Sequence, residues 1–221
     1  TTVMFQYVAL LRGINVNGHR IVKMAELRAS LERDDGFTSV KTWMQSGNVL
    51  FQSTLRAEVI DSKIREVLHA DFALDDVPIM IRTAREIQET VASNPFLPPK
   101  HEAKRIFVAF LDRVPCPKLW KKMGQIDYSP EEYKLDEELK IIYFYVPDFA
   151  KYKLDTTLFE KKLEVIATSR NWRTVNKLAE MASSSSNATT AAAVPKKEQA
   201  SKKKAAKQPA EPQRRSKRNR N

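Results

Sequence analysis

Nine residues, RGINVNGHR (12–20), place two glycines, two asparagines, two arginines and a histidine between an apolar run, VALL (8–11), and a patterned stretch, MAELRASLERDD (24–35). Gly13, Asn17 and Gly18 permit tight turns whose amide hydrogens can cradle an anion, Asn15 adds a side-chain amide, and Arg12 with Lys23 supplies charge. The spacing is not that of a Walker loop, because the GK[ST] ending is missing, and it does not fit GxGxxG. A plainer reading is a β-to-α connection whose asparagines bond to local backbone while Ile14 and Val16 plug the core. A second polar turn, QSGN (45–48), brought beside it by the expected topology, favours the ligand loop. His19 is the best-placed acid or base, against the alternative of a solvated surface histidine.

Two other segments carry polar chemistry. QSGN (45–48) offers Gln45, Ser46 and Asn48 as hydrogen-bonding groups, although a hairpin turn alone would ask for Gly-Asn. In TSRNW (168–172), Arg170 beside Asn171 sets a planar guanidinium next to a bidentate amide, a pair suited to phosphate or carboxylate. There Thr168 or Ser169 would cap the last helix, and Trp172 would anchor the core with Val175 and Leu178. Catalytic sets are harder to find. His19, His69 and His101 lack metal-ligand spacing, Cys116 lies between two prolines, and the pairs Asp34-Asp35, Asp75-Asp76 and Glu131-Glu132 read as solvated charge at helix ends or loops. No cofactor is indicated.

The elements that must position these residues follow from periodicity. A strand over 4–11 precedes an amphipathic helix with Met24, Leu27 and Leu31 at helical spacing and Gly36 as a stop. Strands at 40–45 and 49–52 form a hairpin, a helix at 57–72 buries Ile60, Ile64, Val67, Leu68 and Phe72, and a strand follows at 77–82. This order, βαββαβ, is the split βαβ signature of a ferredoxin-like half, so the fold class is α+β. If the first two strands run parallel through a crossover helix, RGINVNGHR and QSGN share one rim of the sheet. A second, smaller α+β lobe is expected from a helix at 84–93, strands at 105–111, 133–135 and 139–146, and helices near 118–123, 158–163 and 172–181. The run Tyr143-Phe144-Tyr145 reads as a central strand, with a protein-interaction surface as the alternative.

Charge divides the chain. The whole carries +11, yet from residue 183 onward eleven Lys and Arg face two Glu, a local +9, which leaves +2 for residues 1–182. That tail has no aromatic residue, Leu or Ile, so a globular body at 1–182 and a disordered tail at 183–221 are expected. Lys202 and Lys203 stand ten residues before Arg214, Arg215, Lys217 and Arg218, a spacing that resembles a bipartite nuclear import signal, with Lys204 in the same basic run; the alternative is a solubilising polycation. Either form attracts nucleic acid electrostatically, without regard to sequence. The single cysteine favours a reducing compartment, and neither a signal peptide nor a membrane span is expected. Location is therefore expected to be nuclear in a eukaryote and cytoplasmic otherwise.

Three ordered motifs, YVALLRGINVNG (7–18), MQSGNVLF (44–51) and ATSRNWRTVNKL (167–178), resemble the domain-of-unknown-function 1697 family. Its pattern reads ALLRGINVGG, QSGNV-F and T-RNW-TV-KL, and the likeness spans about residues 4–181. The resemblance implies an α+β fold and brings no established activity. Asn17 replaces a common Gly, which Asn tolerates best among other residues, and Arg173 adds a cation beside Arg170. The leading functional expectation is a non-catalytic binding protein with an anionic or small-ligand site on the polar loops; an enzyme acting on a small phosphorylated or carboxylated substrate is the alternative.

Overall fold

The computed structural model describes residues 3–190. The chain forms β1 (Phe5–Leu11), α1 (Met24–Glu32), β2 (Thr38–Trp43), β3 (Asn48–Ser53), α2 (Ala57–Phe72), β4 (Ile79–Thr83) and α3 (Ala84–Ala92). It then repeats the series as β5 (Ile106–Leu111), α4 (Pro117–Met123), β6 (Glu132–Asp136), β7 (Ile141–Tyr145), α5 (Thr156–Leu163), β8 (Ala167–Asn171) and α6 (Trp172–Thr190). Two antiparallel four-stranded sheets result, ordered β2-β3-β1-β4 and β6-β7-β5-β8. The second half therefore has the topology of the first.

Burial explains why the segments take these forms. In α2, Ile60, Ile64 and Leu68 recur every fourth residue and are all buried, the stripe that packs a helix on a sheet. Thr83 opens α3 with a reciprocal capping box to Glu86, so the strand ends where the helix donors find partners. Tyr7, Ala9, Leu11, Val49 and Phe51 face α1 and α2 in one core. The alternate residues Val8, Leu10, Leu50 and Met80 point the other way, into a core shared with Val108, Phe110, Ile141 and Tyr143 of the second sheet and with Ile87, Val175 and Leu178 of α3 and α6. The far side of the second sheet packs Ala109, Ile142 and Phe144 under α4 and α5. Period-two alternation thus gives each sheet one private and one common face.

β1 and β2 run in the same direction with β3 between them, and the Leu11 amide donates to the Gly47 carbonyl at 2.8 Å. The rim expected from the βαβ order is present. Two expectations are corrected. Residues 167–171 are an edge strand rather than a helix lead-in, which puts Thr168 and Ser169 in the sheet and leaves Asn171 to cap α6 through the Thr174 amide, 2.9 Å. The final helix also passes residue 182 and runs to Thr190. Ser183 and Ser184 return their hydroxyls to carbonyls one turn earlier, at 2.9 and 3.0 Å, so these serines join the helix.

Candidate functional site

At the rim the three sequence motifs meet, on protein atoms. Asn15 holds a left-handed conformation (φ 54°) and bonds the Val22 and Gln45 carbonyls through its amide nitrogen and the Val22 amide through its oxygen, each at 2.8 Å. Asn17 (φ 49°) and Gly18 (φ 77°) make the turn of a small hairpin closed by the His19 amide on the Val16 carbonyl, 2.9 Å. Ile14 plugs the core at 2% exposure, whereas Val16 is exposed. A Cβ on Gly47 (φ 76°) would come within 2.7 Å of the Leu11 Cβ and 2.9 Å of Ile14, so only glycine fits this turn.

Arg170 locks the three segments. Its Nε donates to Asn48 Oδ1 (2.5 Å), its Nη1 to Thr168 Oγ1 (2.8 Å) and the Ser169 carbonyl (2.9 Å), and its Nη2 to the Leu11 and Ser46 carbonyls (both 2.9 Å). All five N–H groups of the guanidinium are thereby used, and none of the acceptors is a carboxylate. Burial lowers its pKa to about 10, which still leaves it charged at neutral pH. Asn48, fully buried, spends its own amide on the Trp43 carbonyl and Ser46 hydroxyl. Arg170 and Asn48, expected at a ligand, have their polar groups committed to this clamp.

The other rim cations are also engaged. Arg12 pairs with Glu160 of α5 at 2.5 Å, Lys23 with Glu26 at 2.8 Å, and Arg20 donates to the Asp76 carbonyl at 3.1 Å. Gly13, His19, Gln45 and Ser46 are exposed, and Asn171 is the helix cap. His69 lies at the end of α2 against Asp75, and His101 is buried against Glu132 at 3.0 Å, so the three histidines do not gather. No group of three or more His, Cys, Asp or Glu suited to a metal ion occurs among the described residues. Tyr143 and Phe144 are buried in β7, an inner strand, and do not present a docking surface. The basic tail residues, 202–204 and 214–218, lie outside the described residues.

A cavity of about 360 Å³ opens elsewhere, in the second half, lined by Phe107, Phe144, Val146, Phe149, Tyr152, Leu154, Asp155, Thr156 and Ser169. Its floor is the stacked pair Phe107–Phe144 (5.3 Å), and Phe149 stands edge-on to Phe107 (5.8 Å, 68°). The wall is the ten-residue connection 146–155 between β7 and α5. That connection is pinned by Glu131, whose buried carboxylate accepts from the amides of Lys153 (2.7 Å) and Leu154 (2.5 Å), correcting its reading as solvated charge. At the polar end, Asp155 caps α5 through the Leu158 amide (2.7 Å), and the Thr156 and Ser169 hydroxyls bond each other. A concave, mainly apolar site with a few converging polar groups is what small-molecule pockets share. Sequence reading missed it. The available signal was Phe149 and Tyr152, about half exposed, among the charged residues Asp148, Lys151 and Lys153 of the loop that follows the strongest β-run of the chain.

Fold and cavity together define a tandem α+β protein, two ferredoxin-like halves with an aromatic pocket in one. The chain belongs to the family described as protein of unknown function (DUF1697), which matches residues 4–140. Among solved structures it is similar to the conserved bacterial protein SP0830 from Streptococcus pneumoniae, at 20% identity and a TM-score of 0.61, covering 81% of this chain and 99% of that one. That likeness carries the fold past residue 140, through the half that holds the pocket. No curated protein gives a significant match. No helix among the described residues is long and apolar enough to cross a membrane.

Proposed function

We propose that this protein binds a small organic molecule in the aromatic pocket of its second half, without a catalytic set around it. The observation that carries this reading is the stand-off of the 146–155 connection from the Phe107–Phe144 floor, which leaves aromatic faces unfilled beside Asp155, Thr156 and Ser169. The rim loops are the poorer candidate because Arg12, Asn15, Asn48 and Arg170 are already satisfied. A metabolite screen by thermal shift tests the proposal: compounds that raise the melting temperature of the parent should lose that effect in Phe149→Ala and Tyr152→Ala. Hits that act equally on both variants would place the site elsewhere.

A second reading concerns the C-terminal segment, on the strength of its charge alone. Residues 191–221 hold eleven Lys and Arg against two Glu. We propose that they contact nucleic acid by counterion release, with about half the cations engaged and a log–log salt slope of roughly 5. Removal of 191–221 should abolish most sequence-independent DNA binding and leave the melting of the body unchanged. Retained affinity with the same slope would move the binding surface into the fold.

A further inference from the structure

Three groups, two lining the pocket and one stacked on its Phe149 wall, are left with unmet demands. Asp155 gives one carboxylate oxygen to the Leu158 amide, and the other has no partner among the described residues. Arg105 lies with its guanidinium 4.1 Å from the centre of the Phe149 ring, and its Nε is buried without an acceptor. Phe149 and Tyr152 turn aromatic surface into the cavity while remaining half exposed. A ligand that answers all three is a flat ring with an N–H donor on one edge and an anionic group beyond another.

Resting on the reading of the pocket as a ligand site, we infer that the ligand is a nucleotide whose base bears an exocyclic amine. The base packs against the aromatic walls, the amine donates to the free Asp155 oxygen, and the phosphate meets Arg105 at the mouth. Aromatic stacking and a carboxylate that accepts from a base amine are the usual elements of base recognition. Lys151 and Lys153, both exposed on the same connection, add positive charge near a bound phosphate. Of the two hydroxyls of Thr156 and Ser169, one donates to the other, which leaves a second proton for a ribose or ring acceptor.

Simpler ligand classes fit less well. A compact ammonium would be drawn to the rings and to Asp155, but Arg105 already takes up one face of Phe149, and the cavity exceeds what such an ion fills. A bare anion would meet the Asp155 charge and leave the apolar lining unfilled. A hydrocarbon would cover the rings and leave Asp155 and Arg105 unanswered.

The test uses the full chain and calorimetric titration with cytidine, uridine, adenosine and inosine. Cytidine and adenosine should bind about tenfold more tightly than their keto counterparts, uridine and inosine, the discrimination expected of one base-edge contact. Asp155→Asn keeps the helix cap, because Asn caps as well as Asp, yet offers an amide donor, so the preference should turn toward uridine and inosine. Cytidine monophosphate should bind more tightly than cytidine, with a gain that Arg105→Gln removes. A hexamer of dC compared between parent and Asp155→Asn separates the sources: the tail contributes equally to both, so a drop in the variant assigns the pocket to a base within a strand, and no drop assigns it to the free nucleotide. Equal binding of amine and keto nucleosides overturns the inference. So does their failure to bind while a screened compound still depends on Phe149, in which case the pocket reading survives. If no compound depends on Phe149 or Tyr152, both readings fall.

Discussion

The two halves share a strand order and differ in where they lengthen a connection. In the first, twelve residues (12–23) join β1 to α1, while only three (54–56) join β3 to α2. In the second the proportions are reversed, with five residues (112–116) at the former place and ten (146–155) at the latter. Tyr7 and Phe51 hold the register positions that Phe107 and Phe144 hold in the second half, but there the Tyr7 hydroxyl donates to the Leu55 carbonyl and the pair is buried. The long loop of the first half is rich in Asn, Gly and Arg and turns Arg12, Asn15 and Arg20 onto protein atoms. The long loop of the second carries two aromatics and leaves a cavity. Polar composition does not make a site; what matters is whether the groups have already found partners.

The same comparison extends to a pair of buried arginines. Arg82 and Arg170 occupy matching positions, opposite Val8 and Val108, and each reaches into the other half. Arg82 donates to the Leu111 carbonyl at 2.7 Å and the Lys140 carbonyl at 3.3 Å, the counterparts of Leu11 and Gly47, but its Nε has no partner. Burial lowers the pKa of both. The halves are therefore cross-clamped, unequally.

The largest expected effect sharpens that inequality. Arg170→Met should cost about 3 to 5 kcal/mol in urea unfolding, because buried carbonyls and the Asn48 oxygen lose their donors. Arg82→Met should cost less, about 1 to 3 kcal/mol, since it makes fewer bonds and already leaves one donor unmet. Equal losses would break the asymmetry.

Next comes Tyr143, which stands where the first half has Leu50 and ties its hydroxyl to the Thr90 carbonyl of α3 at 2.8 Å. Tyr143→Phe should cost about 1 kcal/mol at neutral pH. Burial, with a smaller push from Asp136, raises the Tyr143 pKa above its ordinary value. Its contribution is whole below about pH 10 and is lost as pH rises further, because the unfolded chain sheds a proton that the fold retains. Arg170, depressed to about 10, acts in the opposite sense. Unfolding midpoints between pH 8.5 and 11 should therefore fall less steeply in Tyr143→Phe than in the parent, and parallel curves would refute the assignment.

Smaller effects test the two long connections. Arg12→Ala removes a half-buried ion pair between the halves and should cost about 1 kcal/mol, more than a free rim cation would. Tyr152→Ala should change stability by no more than about 0.5 kcal/mol, since the side chain is half exposed, and should act on ligand binding alone. A large loss there would mean that the 146–155 loop is structural, like the long connection at 12–23 of the first half.

Much of this architecture is legible in residue order. The stripe Ile60, Ile64 and Leu68 gives α2 its observed bounds, and the βαββαβ order puts Gly47 beside Leu11. Asn17 holds the left-handed turn expected of it, and Trp172 packs on the cluster of Val175 and Leu178, though only partly buried. Strand β8 escaped because ATSRN has two small polar residues and an arginine where strands usually show apolar alternation; its register with β5 supplies what its composition does not. The repeat of the two halves is faint in the sequence because matches such as Val8 with Val108 and Arg82 with Arg170 are interspersed with unlike residues, Leu50 against Tyr143 and Gly47 against Lys140.

What the sequence determined by itself was local: periodicity fixed helices and inner strands, glycine and asparagine fixed turns, and their order fixed which loops share a rim. What only the tertiary structure decided was the use of each polar group. Whether Arg170 is a ligand contact or a clamp depends on carbonyls more than a hundred residues away at Leu11 and Ser46, and no local pattern encodes that distance. Whether Phe107 and Phe144 are core or pocket floor depends on how far the 146–155 connection stands off, which Glu131 sets through two backbone amides. Hydrogen bonds and cavities are properties of residues brought together by folding, and spacing along the chain reports them only where the partners are near in sequence.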